Sequence, residues 1–106
     1  GLGDVYKRQA IDGLKIKVRV LNKDDIKERN LPKNTTGLVI TEIDKDSPVN
    51  YLQVNNIIVE AQKKKINTIG DLDNIVKLAL KSNDKSLLIA IYNNNNQRRY
   101  IGVKLN

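Results

Sequence analysis

From Leu14 to Val20 the chain alternates without a break: Leu14, Ile16, Val18 and Val20 are aliphatic, and Lys15, Lys17 and Arg19 stand between them. Successive side chains of a strand point to opposite faces, so this pattern predicts a strand over Leu14 to Leu21 with one buried and one wetted side. A lone strand of that kind is not stable. Other strands must pair with it and something must cover its apolar face. Gly13 stands directly in front of the run, where a residue without Cβ allows close approach to the backbone. One reading is that Gly13 and its neighbours offer N–H groups to a ligand, with the strand as one wall of a groove. The other is a simple bulge at the start of a strand.

The rest of the chain supplies the partners. After "NKDDIKERNLP", a short helix that Asn22, Asp24 or Asp25 can cap and Pro32 ends, Leu38 to Ile43 reads as a second strand. Ser47 followed by Pro48 predicts a short turn of helix. Asn55-Asn56 suit a left-handed turn before a third strand at Ile57 to Ala61. The Lys63–Lys65 run and Ile66 make a tight connection with room for a short strand. Thr68 and Asp71 have capping-box spacing, and Leu72, Ile75, Val76, Ala79 and Leu80 then recur at helical intervals, with Leu78 on a flank. Ser86 to Tyr92 is almost wholly apolar and is expected to be buried on both faces. Asn93 to Gln97 form a hairpin turn, and Tyr92 and Tyr100 are expected to face each other across it.

Composition removes several function classes. The 106 residues contain no histidine and no cysteine. A Ser-His-Asp triad cannot be built, and the common zinc ligands and the cysteine nucleophile are missing. No paired acidic signature replaces them, so no catalytic residue, metal site or cofactor is expected. The formal charge of +7 raises the question of nucleic acid. Its clusters, Lys63–Lys65 and Arg98-Arg99, are not interleaved with stacking aromatics, and the Asn, Lys and Ile bias of the chain accounts for much of it. No apolar run approaches the ~18 residues of a membrane span. Residues 1–9, "GLGDVYKRQ", have no periodicity and read as a non-native or disordered tail, similar to a translated sequencing adapter. Residues 10–106 are then one α+β domain: a bent antiparallel sheet or partial barrel of five to six strands, with one long and one or two short helices.

In this order, "DGLKIKV", "GLVITEIDKDSPV", "NNIIVEAQKKKI", "TIGDLDNIV" and "SLLIAIYNNNNQRRYIGVKL" together resemble a PDZ domain of the circularly permuted bacterial kind. They are most similar to the C-terminal (second) PDZ module of HtrA/Do-type, DegP-like serine proteases. The resemblance spans about residues 11–105. It implies a groove in which backbone N–H groups of Gly13, Leu14 and Lys15 hold a peptide carboxylate. The first strand would pair with the peptide by β-augmentation. The implied site is Asp12, Gly13, Leu14, Lys15, Ile16, Lys17 and Val18, with Ile75, Leu78 and Ala79 on the helix edge.

Two departures stand out. "VNYLQVNN" replaces a glycine-containing turn, and Asp12 occupies a position where the family carries a hydrophobic residue. A solvated carboxylate there opposes an incoming one by roughly 1 kcal/mol at ~4 Å, which Lys15 or Lys17 can offset. The resemblance thus implies a non-catalytic module that binds C-terminal or extended hydrophobic segments of substrate for a linked serine endopeptidase. That parent would be periplasmic, oligomeric and engaged in protein quality control. The alternatives are an assembly module that packs against the linked protease and PDZ domains, favoured by Asp12, and a small basic nucleic-acid binder.

Overall fold

The computed structural model describes residues 9–105. Its elements are β1 (Gln9–Ile11), β2 (Ile16–Val20), α1 (Lys23–Arg29), β3 (Leu38–Ile43), β4 (Ile57–Ala61), β5 (Lys64–Lys65), α2 (Ile69–Lys81), β6 (Ser86–Tyr92) and β7 (Arg98–Lys104). All pairings are antiparallel, in the order β1-β2-β3-β4-β6-β7 with β5 attached to β4. The class is α+β, as the sequence predicts, with seven strands among the described residues in place of five or six. The additional one is β1. Of the expected tail, Gln9 lies in β1 opposite Val18, and residues 1–8 fall outside the described residues.

The period-two pattern divides each central strand between two cores. Leu38, Ile40, Ile58, Leu87, Ile89 and Ile91 face the side covered by α2, where Leu72, Val76 and Ala79 meet them. Val39, Ile57, Val59 and Ala90 face the other way and meet Leu21 and Leu31, with Ile26 of α1 and Tyr92 packed alongside. Each fully buried aliphatic side chain contributes about 1.5–3 kcal/mol relative to exposure. Bulges sharpen the bend of the sheet. Lys17 faces Glu42 but Val18 faces Ile40, leaving Thr41 unpaired, and its hydroxyl donates to the Lys17 carbonyl at 3.1 Å.

Both helices start where local chemistry dictates. Asn22 accepts from the Asp25 N–H while the Asp25 carboxylate accepts from the Asn22 N–H, and Thr68 and Asp71 form the same reciprocal pair. The Arg19 guanidinium holds Asp25 as a fork, at 2.7 and 2.8 Å, and draws its carboxyl below the usual range. At the opposite end of α1, Arg29 donates to the carbonyls of Asn55 and Asn93, and Asn96 donates back to the Arg29 carbonyl. The asparagine run is therefore a latch between the β6–β7 turn and α1.

Two local expectations are revised. Ser47 does not begin a helix. Its hydroxyl accepts from the Val49 N–H, and hydrogen-bonded turns from Asn50 to Ser47 and Leu52 to Val49 follow. Tyr92 faces Arg98, and Tyr100 faces Ala90, so the two tyrosines are offset by two register positions, with the Ile91–Arg99 pair between them. The Arg98 guanidinium lies 6.0 Å from one ring centroid and 5.6 Å from the other, and is paired with Glu60 at 2.7 Å.

Candidate functional site

The predicted strand at Leu14–Leu21 begins two residues later than expected, because residues 12–15 form a turn that joins β1 to β2. The turn is fixed from several sides. The N–H groups of Leu14 and Lys15 both donate to the Ile11 carbonyl, at 3.0 and 2.8 Å. The Leu14 carbonyl accepts from the buried Ser47 hydroxyl, and the Lys15 carbonyl accepts from the Asp44 N–H at 3.0 Å. Lys15 takes a positive φ of 52°, which a residue with a Cβ adopts reluctantly. Gly13 does not take such a φ. Its lack of a side chain has another cause: a Cβ there would run into Val76 Cγ1 and lie 3.0 Å from Leu80 Cδ1. Helix α2 rests on Gly13, so the close approach inferred from the sequence exists, and the approaching group is a helix.

Beyond the turn, β1 lies along the edge of β2 that faces away from β3. Gln9 is opposite Val18, Ala10 opposite Lys17 and Ile11 opposite Ile16. Both β1 and β2 touch α2. Ile11 is 0 % exposed, in the core that also contains Leu14, Ile16, Val18, Leu72 and Val76. The edge of β2 expected to lie open is thus paired by the chain's own backbone. The physical reason is simple: an unpaired edge with a buried aliphatic face takes the nearest strand that can cover both.

The predicted residues separate into two places. Asp12, Lys15, Ile16 and Lys17 line a cavity of ≈ 360 Å³ with Ala10, Ile11, Glu42, Ile43 and Asp44. Charges of both signs surround it, and Lys17 pairs with Glu42 at 3.1 Å. Leu14 and Val18 do not line it and are fully buried in the core. Although Ala79 and Ile75 share the core with Leu14, Ile16 and Val18, none of Ile75, Leu78 and Ala79 lines this cavity. With Gln62, Lys64 and Ser86 they line a separate cavity of ≈ 290 Å³ on the other flank of α2. The helix residues on the turn are Val76 and Leu80. Both belong to the same apolar stripe, and spacing alone does not say which edge of a stripe faces a groove. Nothing in the alternation of the sequence marks Ile11, although Asp12-Gly13 between apolar residues is itself a hairpin signal.

Comparison with solved structures identifies the architecture. The chain superposes on an HtrA3 PDZ domain bound to a phage-derived ligand (FGRWV) with a TM-score of 0.61 and 20% identity, over 93% of this chain and 83% of that one. The fold is that of a PDZ domain. A second likeness is to the HtrA-type protease AlgW with a decapeptide, at a TM-score of 0.66 and 18% identity, covering 87% of this chain. This PDZ fold spans 28% of the AlgW chain's length. No family model and no curated protein matches the sequence. Among the described residues, no helix is long and apolar enough to cross a membrane.

Proposed function

We propose that the chain is a peptide-binding PDZ module of an HtrA-type serine endoprotease. It takes a C-terminal or extended apolar segment of substrate as an added strand on β2 and is not itself a catalyst. The observation that carries this reading is how β1 is seated. It runs antiparallel to β2 toward the 12–15 turn, buries an aliphatic side chain beside α2, and places a carbonyl oxygen on two backbone N–H groups. An incoming peptide terminus needs the same three things: a strand edge, an apolar pocket and a pair of oriented donors. Asp12 makes the site better suited to a neutral carbonyl than to a carboxylate, which favours internal segments alongside C-termini.

Without histidine the chain holds no Ser-His-Asp triad, so cleavage belongs to a linked protease domain. A periplasmic setting and an oligomeric parent follow from the same reading. The test is an amide titration with a peptide ending in Gln-Ala-Ile. Signals of Gly13 to Val18 and of α2 from Leu72 onward are expected to move at millimolar peptide; if they stay still, the reading fails.

One observation favours a second reading, an assembly module. The β2 edge is already paired, so a domain of this shape can dock on a neighbouring protease or PDZ domain without a peptide. Tighter association with such a neighbour than with any peptide would establish that role instead.

A further inference from the structure

We propose that β1 is a resident ligand of the groove, an autoinhibitory strand that has to leave β2 before any other segment can bind. The inference rests on the peptide-binding reading above and adds its regulation. Four observations carry it.

First, β1 occupies the whole recognition geometry at once: the strand edge at three consecutive pairs, the apolar pocket through Ile11, and the donors of Leu14 and Lys15 through the Ile11 carbonyl. A peptide cannot add to β2 while this persists, because each backbone donor and acceptor on that edge pairs once. Second, β1 is the terminal strand of the sheet order, so among the described residues its departure breaks no other strand pairing. Third, it is weakly held. Three residues pair with β2, against seven between β6 and β7, and Gln9 and Ala10 are exposed, leaving Ile11 as the single buried anchor. Fourth, the turn that returns β1 to the groove keeps Lys15 at a positive φ, so opening relieves a disfavoured backbone state.

Local opening of short edge elements is the low-energy end of native-state fluctuation. If the open state is populated at about 1–10 %, a competitor binds about 10- to 100-fold more weakly than it would to a permanently open groove.

Ala10 and Lys17 are register partners, both exposed, in a chain with no cysteine, so the double variant Ala10→Cys/Lys17→Cys can lock β1 in place. The probe is a peptide ending in Gln-Ala-Ile, titrated against the oxidised and reduced forms of the same protein. Oxidation is expected to weaken binding at least tenfold and reduction to restore it. Equal binding by the two forms overturns the resident-strand proposal and leaves the peptide-binding reading standing. Absence of binding in both forms and in the parent chain overturns both. A second variant, Ile11→Ser, removes the anchor and is expected to bind the peptide about tenfold more tightly than the parent. Weaker binding, with β6–β7 amide dispersion retained, would instead make Ile11 part of the groove wall and overturn the proposal.

Discussion

The substitution Gly13→Ala tests whether helix α2 is seated on the β1–β2 turn. The added methyl would overlap Val76 Cγ1 and come within 3.0 Å of Leu80 Cδ1. Leu80 is half-buried and has rotamers to spare. Val76 is 1 % exposed, and a valine in a helix has one strongly preferred χ1, so it cannot swing aside. The helix must shift, and overpacking of this kind costs about 1–3 kcal/mol. Restricting the unfolded chain returns about 0.4–1 kcal/mol, which leaves a net loss of about 1–2 kcal/mol. In urea, where m is about 1–3 kcal/mol/M, the midpoint should fall by roughly 0.5–1 M at unchanged m. The melting temperature should fall by roughly 5–10 °C. Gly102→Ala is the matched control, since nothing lies within 4 Å of a Cβ there. Val76→Ala should relieve the strain, so the double variant Gly13→Ala/Val76→Ala should be less destabilised than the sum of its parts by about 1 kcal/mol. If Gly13→Ala is as benign as Gly102→Ala, or shows no coupling to Val76, the helix does not rest where the account puts it.

Three further predictions concern other parts of the molecule. Arg19 depresses the folded-state carboxyl of Asp25, so its stabilisation is present above the unfolded value of about 3.9 and is lost as pH falls through the lower folded value; Asp25→Asn should flatten the fall in melting temperature on acidification, and parallel curves for parent and variant would contradict the pairing. Thr68→Ala removes the side-chain half of the α2 capping box and should cost about 1 kcal/mol in chemical denaturation, a loss that Thr68→Ser largely restores. Leu78 is 67 % exposed on the flank of α2 away from the turn, so Leu78→Ser should alter stability by no more than about 0.5 kcal/mol and leave peptide titrations unchanged.

The parts of the fold that could be read from sequence are those fixed by local chemistry. Helix α2 carries its own start signal in Thr68 and Asp71 and an uninterrupted apolar stripe. Strands β3, β4 and β6 are dense in β-formers, with Asn55 at φ 79° supplying the left-handed turn before β4. What was not legible depends on which surfaces meet. Three residues are too few to show periodicity, so β1 is hidden in the sequence, and the Asp12-Gly13 pair, which reads as a loop for a ligand, is also the return of a hairpin. The alternation that located β2 could not say whether its second edge was free. Likewise the stripe on α2 offered two flanks, and only packing distinguishes Val76 and Leu80, which face the turn, from Ile75 and Leu78, which do not. The Ser47-Pro48 pair has helix-start chemistry, but the Ser47 hydroxyl is drawn to the Leu14 carbonyl, and that tertiary bond wins.

The account turns on one contact, the pairing of β1 with the outer edge of β2. Cross-strand NOEs measured in the free protein, between Gln9 and Val18 and between Ala10 and Lys17, test it directly. They should be present without peptide and vanish as a peptide ending in Gln-Ala-Ile reaches saturation, while the β2–β3 NOEs remain. Their absence from the free protein, or their survival in the fully bound one, would contradict it.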